Sequence, residues 1–238
     1  MSTLLLRFAA PLQAWGVSSK FDRRDTERAP SKSAVIGMIS AALGICRDDV
    51  KIERLSKSLS FGTRIDHEGI LLRDYHTAKS IKSAYVTHRY YLSDAVFLVG
   101  LEGEDNLLLE IERALKAPYY PLYLGRRSCP PEGRLVIGIR HGVTLAESFV
   151  AEPKLPAYKR YEKSDETQLR VLLEVASNMP NTYLQKDQPL SFMQQNRMYG
   201  FRRVQESLVN PCSAATKMKP GLQTDHDPLA ELEDASCT

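Results

Sequence analysis

Apolar residues in this chain come in short blocks, and the spacing within each block indicates the element it builds. Residues 3–10, TLLLRFAA, are a compact apolar run closed by Pro11, which predicts a first strand. Residues 16–30 follow as a polar loop with Lys20, Arg23, Arg24 and Arg28. From Ser31 the pattern changes: Val35, Met38, Ile39, Ala42 and Leu43 recur at helical intervals and predict a helix with one apolar face. Ser31 or Ser33 can cap its free amides, and Gly44 suits the position just past its end. Residues 58–65 and 69–76 predict a strand pair turning at 66–69, and residues 95–103, AVFLVGLEG, a strongly apolar strand. Residues 104–118 predict a second helix, acidic at its start, basic at Lys116 and stopped by Pro118. A loop rich in Tyr, Arg, Pro and Gly spans 119–133, and 134–143 is a further strand.

The order strand, helix, strand pair, strand, helix, strand is close to βαββαβ. The expected fold class is therefore α+β, ferredoxin-like, the layout of RNA-recognition domains, over residues 1–145. Past Pro153 the periodicity weakens. Residues 167–176 read as a strand or short helix, and 189–209 as one or two strands, giving a smaller β-rich region over 146–209. Residues 210–238 are polar and end in an acidic stretch, which predicts a flexible tail.

One segment fits no core element. From Tyr75 to Tyr91 there are four tyrosines, two histidines, two lysines and one arginine, with no carboxylate. Placed between strands of a sheet, it is a long excursion, and excursions of that length are commonly functional. Charge points the same way. Residues 1–140 hold 21 Lys+Arg against 16 Asp+Glu, whereas residues 141–238 hold 11 against 13. A polyanion would dock on the N-terminal part.

Single-stranded RNA is held by cations on phosphates and flat rings on bases. Lys79, Lys82 and Arg89 suit the first role, and Tyr85, His88, Tyr90 and Tyr91 the second. The competing reading is a solvated hairpin whose inner tyrosines cover the sheet. Two further places attract phosphate. Arg126 and Arg127 stand on a proline-backed loop beside Gly125, where ordinary surface salt bridges are the alternative. Lys32 lies in the first turn of a helix, an anion site by geometry, where a capped helix with a solvent lysine is the alternative. No GxxxxGK[ST] pattern supports nucleotide hydrolysis. His76 and His88 are an acid–base pair in principle, with Tyr75, Lys79 or Lys82 assisting. The four cysteines stand far apart without zinc spacing, so no metal or cofactor is expected. The apolar N-terminus is too short and too soon interrupted by Arg7 for a signal peptide, which favours a cytoplasmic protein.

Several segments together resemble one family. LRFAAPLQAWG, PSKSAVIGMISAALGICRDD, SFGTRID, LRDYHT, YYLSDAVFLVGLEG and PLYLGRRSCPP fall in order over residues 4–131. They look like the fifth CRISPR-associated family in its type I-E form, CasD. The resemblance implies a ferredoxin-like domain with a protruding thumb hairpin, here at about 74–94. It implies a non-catalytic subunit of the Cascade surveillance complex that holds the 5′ handle of the guide crRNA and caps one end of the assembly. Its implied partners are the crRNA, the backbone subunit CasC and the large subunit CasA, with target DNA engaged indirectly through the complex. Gln13 and Trp15 match the first-strand motif, Lys32 and Ser33 the helix start, Tyr75 and His76 the base of the thumb, and Arg126, Arg127 and Ser128 the loop. The alternative is a metal-independent endoribonuclease: in type I-C systems the corresponding subunit cuts precursor crRNA with tyrosine, lysine and histidine. In type I-E a separate subunit, CasE, makes the cut.

Overall fold

The computed structural model describes residues 1–16, 23–79, 84–156, 168–176 and 179–212. Its fold is mixed α+β. Strand β1 (Ser2–Ala9) alternates Leu4, Leu6 and Phe8 on one face with Leu5 on the other, and all four are inaccessible to solvent. A strand buried on both faces belongs in the middle of a covered sheet. It lies between β7 (Val96–Gly103) and β8 (Val136–Arg140), antiparallel to each. The large sheet has seven strands in the order β10-β11-β9-β4-β7-β1-β8. Its remaining members are β4 (Ser60–His67), β9 (Leu169–Glu174), β10 (Thr182–Ser191) and β11 (Met198–Val209).

Helices α1 (Lys32–Ala42), α2 (Lys51–Ser58) and α3 (Asp105–Lys116) belong to the larger core, with Phe8, Val35, Ile39, Phe61, Phe97 and Ile111. Ser31 caps α1 with its hydroxyl on the Ala34 amide, and Gly44 takes φ +71 just beyond the end, as expected. Helix α4 (Leu145–Ala151) covers the opposite face through Leu145 and Phe149, against Leu5, Leu98 and Val171. It is held by a buried guanidinium. All five Arg64 donors are used: two on Asp66 and three on the carbonyls of Phe149, Glu152 and Pro153.

The strand pair expected over 58–65 and 69–76 does not form. Both edges of β4 are occupied, by β7 and β9, and its residues are buried along most of its length. The next strand, β5 (Ile70–Lys79), is exposed, leaves the large sheet and pairs instead with β6 (Ala84–Ser93). The turn between β4 and β5 requires Gly69: it has φ +69, and a Cβ there would stand 2.4 Å from the Ser93 carbonyl oxygen. The arm's ladder runs from Ile70 opposite Ser93 to Lys79 opposite Ala84. It therefore begins four residues earlier than residue 74, at Ile70. Two short strands flank β6 on its other edge: β2 (Leu12–Gln13), and β3 (Arg23–Arg24), which lies inside the segment expected to be loop.

Candidate nucleic-acid interface

Because side chains alternate across a strand, the β5–β6 register sorts the arm's residues onto two faces. One face carries Arg73, Tyr75 and Lys79 from β5, with His88 and Tyr90 from β6. Among the described residues, β5 and β6 contribute no carboxylate to it. Arg23 lies over the Tyr90 ring, 5.1 Å from its centroid, and pairs with Asp25 at 2.8 Å. Tyr75 is 65% exposed and its ring stands 5.7 Å from that of His88. The Arg73 guanidinium lies against the His88 ring, 3.3 Å from its Nδ1. The other face carries His76 with Tyr85, Arg89 and Tyr91. His76 pairs with Thr87, and His88 with Tyr75, so the two histidines point to opposite sides of the hairpin. The acid–base pair considered from the sequence is not assembled by this register. Lys82 lies outside the described residues.

Five of the expected contact residues are internal, Tyr91 among them, 5% exposed and part of the larger core. Gln13 is fully buried and donates to the Ala95 carbonyl at 2.7 Å. Trp15 is 1% exposed and stacks on Phe8 at 5.5 Å, so neither face is open to a base. It is a packing anchor. Ser33 is buried beside Ser31, 3.4 Å away. Lys32 is 1% exposed, with its ammonium on both Glu174 oxygens at 3.0 and 2.8 Å. Burial pushes the Lys32 ammonium below its ordinary pKa, against the opposing pull of Glu174.

The start of α1 does hold an anion, but the anion comes from this chain. The Lys32 amide donates to Asp187 Oδ2 at 2.8 Å, and Arg202 closes on the same carboxylate at 2.6 and 2.9 Å. Lys32, Glu174, Asp187 and Arg202 form a buried, charge-balanced cluster that ties β9, β10 and β11 to α1. The acids lie in the weakly patterned C-terminal third, so no local signal in the sequence pairs them with Lys32.

The 119–133 loop splits its two arginines. Gly125 has φ +87, and a Cβ there would fall 1.6 Å from the Ala14 carbonyl oxygen, so the loop is locked against the N-terminal segment. Arg126 then reaches the base of the arm: it donates to the Arg24 carbonyl at 2.6 Å and lies 4.6 Å over the Tyr91 ring. Arg127 and Ser128 are exposed. Arg73 and Arg23 on the arm were not singled out from the sequence. Arg73 lies just before the segment whose composition stood out, and only the ladder brings Arg23 to it.

No group of three or more His, Cys, Asp or Glu suited to a metal occurs among the described residues. None of the helices among them is long and apolar enough to cross a membrane.

The fold and this face define a class: a mixed α+β protein with a basic, aromatic β-hairpin arm. The family model described as CRISPR-associated protein (Cas_Cas5) matches residues 3–205. The chain belongs to that family. It is 40% identical to the CRISPR system Cascade subunit CasD of Escherichia coli (strain K12), over 58% of this chain and 70% of that one. Among solved structures it resembles a chain of a CRISPR RNA-guided surveillance complex, with a TM-score of 0.74 and 34% identity, covering 88% of this chain and 90% of that one. A second, titled as the crystal structure of a Cas protein, matches with a TM-score of 0.68 and 37% identity, covering 87% and 95%.

Proposed function

We propose that this chain is a non-catalytic subunit of a type I-E Cascade complex, in which it binds the 5′ handle of the crRNA and contacts CasC and CasA. The observation that carries the reading is the basic, aromatic arm face, Arg73, Tyr75, Lys79, His88 and Tyr90, in a chain related to subunits of RNA-guided complexes. Cations for phosphates and exposed rings for bases are what single-stranded RNA requires. The strand order β8-β1-β7-β4, with α1 and α3 as crossovers, supports a ferredoxin-like core beneath the arm. The placement of His76 and His88 on opposite faces favours binding over cleavage by that pair. Arg127 and Ser128 remain available to the RNA, whereas Gln13, Trp15, Lys32 and Ser33 support the scaffold. The complex works in the cytoplasm, and target DNA meets this subunit only through the assembly.

The test is to express the chain with the other complex subunits and a repeat-containing RNA, then analyse what co-purifies. The expected result is crRNA together with CasC and CasA, and repeat RNA left intact by the chain alone. Cleavage by the chain alone, lost on His88→Ala or His76→Ala, would establish the nuclease instead.

A further inference from the structure

Helix α4 covers only part of its side of the large sheet. Leu5, Leu98 and Val171 pack in the cluster with its Leu145 and Phe149. The register carries that side outward to the sheet edge: Val171 stands opposite Ser207, Leu173 opposite Gln205, and Arg203 opposite Leu184. Because side chains alternate along a strand, Phe201, Arg203 and Gln205 of β11 share this side with Leu184 of β10. Lys186 belongs to it as well, since its ammonium lies 5.8 Å from the centroid of the Phe201 ring. Leu184 and Phe201 are 58% and 61% exposed, against 0% for Val171 under the helix. The face carries two cations, Lys186 and Arg203. Among the described residues, β9, β10 and β11 bring it no carboxylate: Glu174 and Asp187 turn towards Lys32, and Glu206 stands opposite Leu172, which packs on the larger core. An exposed face that is apolar and basic together is a docking surface in search of an occupant.

We propose that the occupant is this chain's own C-terminal stretch, Asp225 to Asp234, folded back over the open face of β10 and β11. That stretch holds five acids, no Lys or Arg, and two leucines, Leu229 and Leu232. The leucines meet Leu184 and Phe201, and the acids meet Lys186 and Arg203. The chain departs on the correct side of the sheet: Val209 packs in the α4 cluster, and the Cys212 amide donates to the Val150 carbonyl at 2.8 Å. The span is within reach. From Val209 back to Phe201 the strand covers about 26 Å, at about 3.3 Å per residue. From Cys212 to Leu229 the chain can extend to about 56 Å. A tethered segment also meets its site at a high effective concentration, so a contact of two leucines and a few ion pairs suffices. The segment 157–167 starts from the same side, but its Lys159, Arg160 and Lys163 balance Glu162, Asp165 and Glu166, and it has no negative excess to offer. The inference does not depend on the RNA-binding reading.

The experiment places the photocrosslinker benzoylphenylalanine at Leu184, and separately at Phe201, in the purified full chain, and maps the products by mass spectrometry. Both side chains are at the surface, so the fold should tolerate the change. The expected product is a crosslink within one chain to residues 222–234. Leu229→Asp with Leu232→Asp should abolish it, because the apolar contact is lost. Neutralising the acids, with Asn for Asp225, Asp227 and Asp234 and Gln for Glu231 and Glu233, should lower the yield at low salt. The yield of the natural tail should fall as salt screens the ion pairs, and that of the neutral tail should not. A crosslink to the tail that survives the two Leu→Asp changes would be mere collision of a tethered chain and would overturn the proposal. Crosslinks to residues 157–167 or to a second copy would overturn it too, by giving the face another occupant. So would the absence of any crosslink in the isolated chain, or its replacement by one to another subunit in the assembled complex.

Discussion

The buried cluster at the start of α1 makes a quantitative prediction through Asp187→Asn. Asp187 is fully buried and accepts from the Lys32 amide and from two Arg202 nitrogens. The substitution keeps the side-chain shape but removes the charge and turns one acceptor into a donor facing donors. Arg202, 8% exposed, is then a buried cation without its counter-charge. Breaking a buried pair from one side costs about 3–5 kcal/mol, against a total stability of about 5–15 kcal/mol. For a chain of this size, about 2–4 °C per kcal/mol converts the loss to a melting temperature lower by about 6–20 °C. Urea unfolding of the purified chain is the assay, read as a lower midpoint at unchanged slope. Asp187→Leu combined with Arg202→Met removes both charges at once. It should be more stable than Asp187→Asn by at least about 1 kcal/mol, because no ion is left stranded. A loss below about 1 kcal/mol for Asp187→Asn would refute the reasoning, since it would mean that water reaches the cluster and solvates Arg202.

Two other predictions separate structure from binding. Arg126→Ala should loosen the base of the arm and lower the melting temperature, because Arg126 holds the Arg24 carbonyl and covers Tyr91. Arg127→Ala should leave the fold unchanged and reduce the salt slope of RNA binding by about 0.7. Equal thermal effects of the two would contradict this division of roles. Glu147 gives a pH prediction. The amide and hydroxyl of Thr144 donate to its carboxylate and hold its pKa below the ordinary 4.5. The native state therefore binds its proton less readily than the unfolded chain does. Its contribution is complete above about pH 4.5 and fades as pH falls through the lowered folded value. The stability advantage of the natural protein over Glu147→Gln, measured by urea unfolding from pH 6 to pH 3, should shrink towards the acid end. A constant difference across that range would rule the capping role out.

Much of the local architecture is legible along the chain. The Ser31 cap, the apolar stripe of α1, the Gly44 stop and the dense apolar runs of β1 and β7 are short-range signals, and each predicts its own element. Helix α4 carried such a signal too, the capping box formed by Thr144 and Glu147. Its seven residues show too little periodicity to stand out, and α2, eight residues long with three buried, is equally brief. The composition of the arm was also plain, because a stretch of tyrosine, histidine and basic residues without an acid is visible without any fold. Its partners were not. Which strand β5 joins depends on the occupancy of both β4 edges, and one of those edges is taken by β9, more than a hundred residues away in the chain. The fate of Lys32 turns on Glu174, 142 residues distant. A cation at a helix start reads as a free anion site until tertiary packing supplies an internal carboxylate and removes the water. The sequence by itself determined α1, α3, β1 and β7, and that one exposed stretch is basic and aromatic, since those depend on residues a few positions apart. Only the tertiary structure decided which charges neutralise one another in the interior and which remain at the surface for a ligand, since that depends on which distant segments share a buried volume.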